Sequence, residues 1–417
     1  MESGWIEWAN VFFRFIHVLA GIMWIGNSLL FTWMELNLLQ PQTDPKTGKP
    51  KDPDLLGFLD MLHGGGVFHL QKRQMHADSI PATLHWFKWQ SYTTWITGFL
   101  LLVALFYSNG SSLVDATRSS LTPGGAVGIS LLGIFGGWLV YDAIWRSPLG
   151  KNTAVATAFS LLVLFAAAYF YGQIFNGRAL YLQIGAMMGT WMSANVLIHI
   201  MGNQHKFMRS LRQGKPYDPA YGKRAKSRSL HNHYMTFPVL FLMLSAHFPS
   251  LHAAEWNVPI LAVLVIALMA VKYLMNTRYW FRGWLPSVFG TVAVASLLIG
   301  IFLHLPPLRG LSATGVPMDP LVAEGKKQFQ TLGCGACHMQ GSAQLAPTLY
   351  GIFGHTQELA DGSTVMVDDS YLRTSILQPQ THLVKGYAAA MPVYGPMLND
   401  SQVTALIAYI KSLTPPK

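Results

Sequence analysis

The sequence predicts an all-α protein, with eight membrane-spanning helices followed by a small soluble domain. Three observations predict it. Only 12% of the 417 residues are charged and the mean hydropathy is +0.30, whereas a soluble globular chain carries about 25% charged residues. Eight stretches approach the roughly 20 apolar residues that a spanning helix needs: 9–34, 90–108, 125–145, 153–175, 179–202, 234–250, 257–276 and 284–305. Beyond them, Pro306, Pro307, Gly310, Gly315 and Pro317 mark a linker over 306–317, and the remaining 318–417 are soluble in character. A transmembrane domain over 1–305 is therefore expected to precede a separate domain over 318–417.

The first stretch follows Met1-Glu2-Ser3-Gly4-Trp5, which is acidic, and no A-x-A-like site comes after it. It reads as a retained helix and not a cleaved signal. The connection 35–89 is long and is expected to hold short helical or re-entrant pieces, broken at Gly64-Gly65-Gly66. The loop after the fifth stretch carries Lys206, Arg209, Arg212, Lys215, Lys223, Arg224, Lys226 and Arg228. Basic loops stay on the cytoplasmic side. Every second connection is then cytoplasmic, and each is basic: Lys46, Lys49, Lys51, Lys72, Arg73 and Lys88 in the first, Arg146 and Lys151 in the third, Arg278 and Arg282 in the seventh. The outer connections hold only Arg118 and Arg178. The N-terminus and the soluble domain are thus expected outside, which in a Gram-negative cell is the periplasmic side of the inner membrane.

The formal net charge is +10. In a soluble protein such an excess suggests nucleic acid, but here orientation explains it, and the partner surface implied is membrane lipid. There are two cysteines, Cys334 and Cys337, so no structural disulfide is expected. No internal repeat, no low-complexity segment and no flavin or nicotinamide fingerprint is present.

Cys334-Gly335-Ala336-Cys337-His338 has the C-x-x-C-H spacing of a c-type haem attachment site. Each thiol can form a thioether to a haem vinyl group, and the adjacent imidazole can reach the iron. A redox dithiol or half a zinc site is excluded by the following His and the lack of other cysteines. One covalent haem c is expected. Gly325-Lys326-Lys327-Gln328-Phe329 before the motif, Ala346-Pro347-Thr348-Leu349 and Tyr371–Ile376 after it, then Met391-Pro392 and a last helix Val403–Ser412, complete the pattern. The segment resembles the class I cytochrome c family over its whole length. The resemblance makes His338 and Met391 the axial ligands, with Met397 as a rival. A His/Met pair raises the haem potential and suits an electron acceptor.

Histidines within spans are costly and are functional candidates. Arg14, His17, Gly21, Trp24 and Ser28 share one helix face. An imidazole with a small residue four positions on suits a flat haem b, with Arg14 on a propionate and His247 as the best-placed partner. A buried, hydrogen-bonded His17 beside a snorkelling Arg14 is the other reading, and both stand. A second set gathers at the cytoplasmic ends. It comprises Trp191, Asn195, His199 and Asn203, then His231, Asn232 and His233, and in the first connection His69, Lys72, His76, His85 and Lys88. These groups suit a small-molecule site or a second haem, or are interfacial only.

His17–Asn27, Leu84-His85-Trp86-Phe87-Lys88-Trp89-Gln90, His231–Pro238 and Ser245-Ala246-His247-Phe248-Pro249 together resemble the bacterial membrane urate oxidases, an eight-helix domain fused to a C-terminal cytochrome c. The resemblance covers essentially the full chain. The first span is also distantly similar to small haem-b-binding membrane proteins such as the membrane protoporphyrinogen oxidase. The urate oxidase resemblance implies oxidation of urate to 5-hydroxyisourate, in purine catabolism, with electrons passing to the c-haem and no hydrogen peroxide made. A periplasmic cytochrome c or a terminal oxidase would take the electrons onward. Urate is a planar anion, and His69, Lys72, His85 and His199 are the residue types expected to bind it and take its proton. Two rival readings predict different behaviour. A quinol–cytochrome c oxidoreductase would be reduced by quinol and not by urate, and a non-catalytic electron-transfer subunit would be inert to both.

Overall fold

The computed structural model describes residues 2–413 apart from 48–49, 109, 116–117, 217, 307–318, 339–345, 388–390 and 396–397. Most of the expected linker, and the rival ligand Met397, lie outside the described residues. Helices dominate. In chain order they begin with α1 (Glu2–Leu36), followed by an antiparallel hairpin of β1 (Leu55–His63) and β2 (Gly66–Arg73). Then come α2 (Trp89–Leu102), α3 (Pro123–Arg146), α4 (Thr153–Ile174), α5 (Gly177–Ala194), α6 (Met201–Arg212), α7 (Ala220–Leu244), the short α8 (Pro249–His252), α9 (Asn257–Thr277) and α10 (Trp284–His304). The C-terminal part holds α11 (Pro320–Thr331), α12 (Gly335–His338), a second hairpin of β3 (Thr356–Glu358) and β4 (Thr364–Met366), α13 (Asp369–Leu377) and α14 (Asp400–Ser412).

One expectation needs correction. The chain is not purely helical, because each part contains a two-stranded hairpin. In the first connection, Gly64 and Gly65 have φ of 61° and 79°. Positive φ at both central positions is what a tight two-residue hairpin turn demands, and glycine adopts it without strain. The break foreseen at Gly64–Gly66 is therefore the tip of a hairpin and not the end of a helix. Six of the eight expected spans have a counterpart among the described residues in helices long and apolar enough to cross a membrane: Trp8–Leu36, Pro123–Arg146, Thr153–Ile174, Gly177–Arg212, Asn257–Thr277 and Trp284–His304. The stretches 90–108 and 234–250 do not qualify. α2 is regular for only 14 residues before it widens into a π turn, Val103–Tyr107. α7 spends its first turns on Lys223, Arg224, Lys226 and Arg228, and it ends at a 3₁₀ turn after Leu244.

The outer faces fit lipid. α10 buries no residue, and Phe289, Val294 and Leu297 are exposed along it, as are Phe12, Phe15 and Ile22 on α1. Apolar surface of that extent is a membrane or partner face. Caps fix the helix starts. Thr122 accepts from the Gly125 amide ahead of Pro123, and Asn152 accepts from Ala154 and Val155.

The helices sort into two compact units. One comprises 1–104, 188–239 and 269–288, and the other 105–187, 240–268 and 289–417. In the first, α1 packs along α2. In the second, α3 packs on α4, and the C-terminal segment builds its own core from Phe329, Val367, Leu372, Val403 and Leu406. That core depends on the crossing of α11 and α14. A Cβ at Gly325 would lie 1.8 Å from the Ala405 carbonyl oxygen, and Phe329 meets Tyr409 edge-on at 5.2 Å. Two backbones in contact leave no flexible group to yield. Gly325→Val is expected to force the helices apart at a cost of about 3 kcal/mol or more. Haem staining of a denaturing gel should then show the covalently haem-bearing chain largely lost; a wild-type band would refute the close crossing.

Candidate functional site

The attachment motif folds as a short helical segment entered through Gly333 at φ 70°. Cys334 is partly buried and Cys337 exposed. Burial pushes the Cys334 thiol up to about 11. His338 Nδ1 lies 2.8 Å from the Pro347 carbonyl oxygen. A carbonyl only accepts, so Nδ1 carries the proton and Nε2 keeps its lone pair. This is the orientation a metal-binding imidazole needs, with its second nitrogen anchored by a backbone acceptor. The motif and this anchor fit a haem. Met391, the expected sixth ligand, is partly buried in an extended stretch. A Cβ at Gly333 would lie 3.4 Å from Pro249 Cγ, so the chain entering the motif touches the α8 turn.

His17 is anchored in the same way. Its Nδ1 lies 2.8 Å from the Thr94 carbonyl oxygen and 3.3 Å from Thr97 Oγ1. The ring packs against Gly98, where a Cβ would stand 2.8 Å from Cε1. Only glycine lets the ring approach α2 so closely. Arg14 is exposed, and His247 is exposed in the 3₁₀ turn after α7.

The inner histidines divide into two groups. One is a buried polar seam of α5, α7 and the π turn Asn195–Ile200 between α5 and α6. Asn195 Nδ2 donates to Asn232 Oδ1 at 3.0 Å, Asn232 Nδ2 to the Met192 carbonyl at 2.8 Å, and Asn203 Nδ2 to the His199 carbonyl at 2.6 Å. His199, Asn232 and Arg228 are all buried. Burial, then Arg228 and His199, push His231 down to about 3, so it is neutral at physiological pH. His233 Nδ1 meets Thr32 Oγ1 and its Nε2 meets Asn276, each at 3.2 Å. A π turn inserts an extra residue into a helix and is common at functional sites; here it carries His199.

The second group lies on the hairpin. His69 pairs with Asp60 at 2.6 Å, and Lys72 with Glu35 at 2.5 Å, where Lys226 joins at 3.0 Å. Phe58, His69, Gln71, Gln42 and Lys51 line a small pocket of about 260 Å³. Of the four residues expected to handle the substrate, His199 is buried in the seam, His69 lines this pocket, Lys72 is tied to Glu35, and His85 is exposed before α2. The motif around His85 works through its neighbours: Trp86 stacks on His205 at 4.9 Å and Phe87 meets Phe31 edge-on at 5.1 Å. Asp60 and Gln71 escaped the sequence reading, because neither stands in a motif, and Arg228 entered it only as part of the basic loop.

Membrane-length apolar helices followed by an oriented C-x-x-C-H histidine define a membrane protein carrying a c-type cytochrome domain. The chain belongs to the urate oxidase family: residues 3–303 match the family described as urate oxidase N-terminal, and residues 322–414 match cytochrome c. No curated protein matches the chain. The combination makes it an oxidoreductase acting on urate, with electrons passing to haem c.

The seam generates one prediction. Asn232→Leu would leave the Asn195 amide and the Met192 carbonyl buried without this partner, at a cost of about 1–3 kcal/mol for each. A lower thermal unfolding temperature in detergent is expected; an unchanged one would mean that the seam hydrates freely.

Proposed function

We propose that the protein oxidises urate to 5-hydroxyisourate in the bacterial inner membrane and delivers the electrons to a single covalent haem c. The observation that carries this reading is the continuous match of a urate oxidase domain and a cytochrome c domain in one chain. Cys334, Cys337, His338 and Met391 are the residues that would hold the haem. When bound, the haem supplies a one-electron acceptor of raised potential. The reaction balances as urate plus water giving 5-hydroxyisourate, two protons and two electrons. Water supplies the hydroxyl oxygen, so no hydrogen peroxide forms. His69 and His199 are the groups able to move a proton, while Lys72 and His85 stand near the inner entrance.

The basic loops favour eight spans, with 90–108 and 234–250 as the second and sixth, the N-terminus outside, and the 318–417 domain in the periplasm. There a soluble cytochrome c or a terminal oxidase would collect the electrons. The approach of Gly333 to Pro249 sets the start of the haem attachment motif beside the α8 turn. The Nδ1 anchor of His17 leaves its Nε2 lone pair for a haem b, with Arg14 as the accompanying residue.

Anaerobic addition of urate to purified protein is expected to produce the reduced c-haem spectrum. In air, urate turnover should yield no peroxide. A c-haem that stays oxidised in intact protein would overturn the proposal, and reduction by quinol alone would favour the quinol reading. A pyridine haemochrome assay is expected to count one c-type haem, plus a b-type signal that His17→Ala removes.

A further inference from the structure

α9 carries a single charged residue, Lys272. It stands within two turns of the helix end at Thr277, where a lysine can extend its ammonium toward the headgroups. Lys272 does not do so. It is 4% exposed, and its Nζ lies over the Phe237 ring of α7, 5.1 Å from the centre. One turn nearer the end of α9, Asn276 Oδ1 meets His233 Nε2 at 3.2 Å, and His233 Nδ1 meets Thr32 Oγ1 of α1 at 3.2 Å. α7 and α9 thus pass each other with Phe237 beside Lys272 and His233 beside Asn276. The ammonium lies a turn farther from the helix end than this His233 bridge, and the bridge closes it in.

An ammonium has three N–H donors and no acceptor. The Phe237 ring offers it a face and no lone pair. Among the described residues no oxygen or nitrogen pairs with Nζ. Glu35, the acid on the same end of α1 as Thr32, is held by Lys72 and Lys226. Arg278, just beyond the end of α9, has the same sign as Lys272. A charge inside an apolar bundle is costly unless it is paired, and it marks a binding or transfer site. The partner that this corner calls for is an anion.

We infer that Lys272 is the cation that binds the urate anion, with Phe237 as an apolar wall of the site. The inference rests on the urate oxidase reading. Urate answers both features together, since it is an anion at neutral pH and its flat ring system needs apolar surface. The ammonium donates to the anion, and the pair carries no net charge into the bundle. A phospholipid phosphate is the other source of negative charge, but a headgroup stays at the membrane surface, on the far side of the His233 bridge. Lys272 makes and breaks no bond, so its loss acts on binding and not on the chemical step.

The test uses full-length, haem-bearing protein in detergent, with the anaerobic rate of c-haem reduction followed against urate concentration. Lys272→Met removes the charge and keeps the length of the side chain. Loss of one member of a buried charge pair weakens binding by at least about 30-fold. KM is expected to rise by that factor with the maximal rate within about threefold, and Lys272→Arg is expected to recover part of the loss. Thermal unfolding separates binding from packing. Urate is expected to raise the unfolding temperature of wild type and not that of Lys272→Met. Without urate, Lys272→Met is expected to unfold no lower than wild type, because an unpaired charge has been removed. Wild-type KM in Lys272→Met, or a variant that fails to fold or unfolds at a lower temperature without urate, would overturn the inference while urate still reduces wild-type haem. So would stabilisation of wild type by phosphatidylglycerol and not by urate. Wild-type haem that urate leaves oxidised would instead overturn the urate reading itself.

Discussion

A neutral histidine offers one N–H and one lone pair, so whatever claims Nδ1 decides what Nε2 can do. Among the described residues, His17, His205, His304 and His338 have Nδ1 on a backbone carbonyl, and His69 has it on a carboxylate. The Pro347 carbonyl holds His338, the Thr94 carbonyl holds His17, and the Asp60 carboxylate holds His69. The acceptors differ, and so does the consequence. A backbone carbonyl orients a ring without adding charge, which suits a nitrogen that stays on a metal. A carboxylate also stabilises a positive ring, which suits a nitrogen that takes up a proton.

The membrane imposes the complementary constraint. Polar groups inside an apolar bundle must find partners there. The seam of Asn195, Asn232, Asn203 and the backbone carbonyls they serve does this within three helices and a π turn. It keeps His199 and Arg228 buried, while the hairpin histidines stay in reach of water.

Much of this was legible in the residues. The haem attachment motif needed only spacing, and the six longest apolar helices needed only composition. The close His17 packing was foreshadowed by its face, but Gly98 was not, since a glycine in a helix signals nothing until its neighbour is known. The hairpin was missed for a physical reason. Leu55–Leu62 is apolar on both strand faces, so the period of two is blurred, although Gly64-Gly65 between two such runs is a hairpin signal. Asp60 could be linked to His69 only through the register that this turn sets. The second and sixth spans were drawn from hydropathy alone; α2 passes into a π turn after 14 residues, and α7 carries a cluster of cations in its first turns.

The crossing at Gly325 has a kinetic side. α11 is a local element and can form in microseconds or less, bringing the adjacent Cys334 with it. Its contact with α14 joins segments separated by the whole stretch between Thr331 and Asp400, and closing so long a loop comes later and more slowly. The two thiols therefore pass through an interval in which they are presented on a nascent helix before the domain has shut over them. Any reaction of the two thiols has its opening in that interval, before the final helix closes the domain.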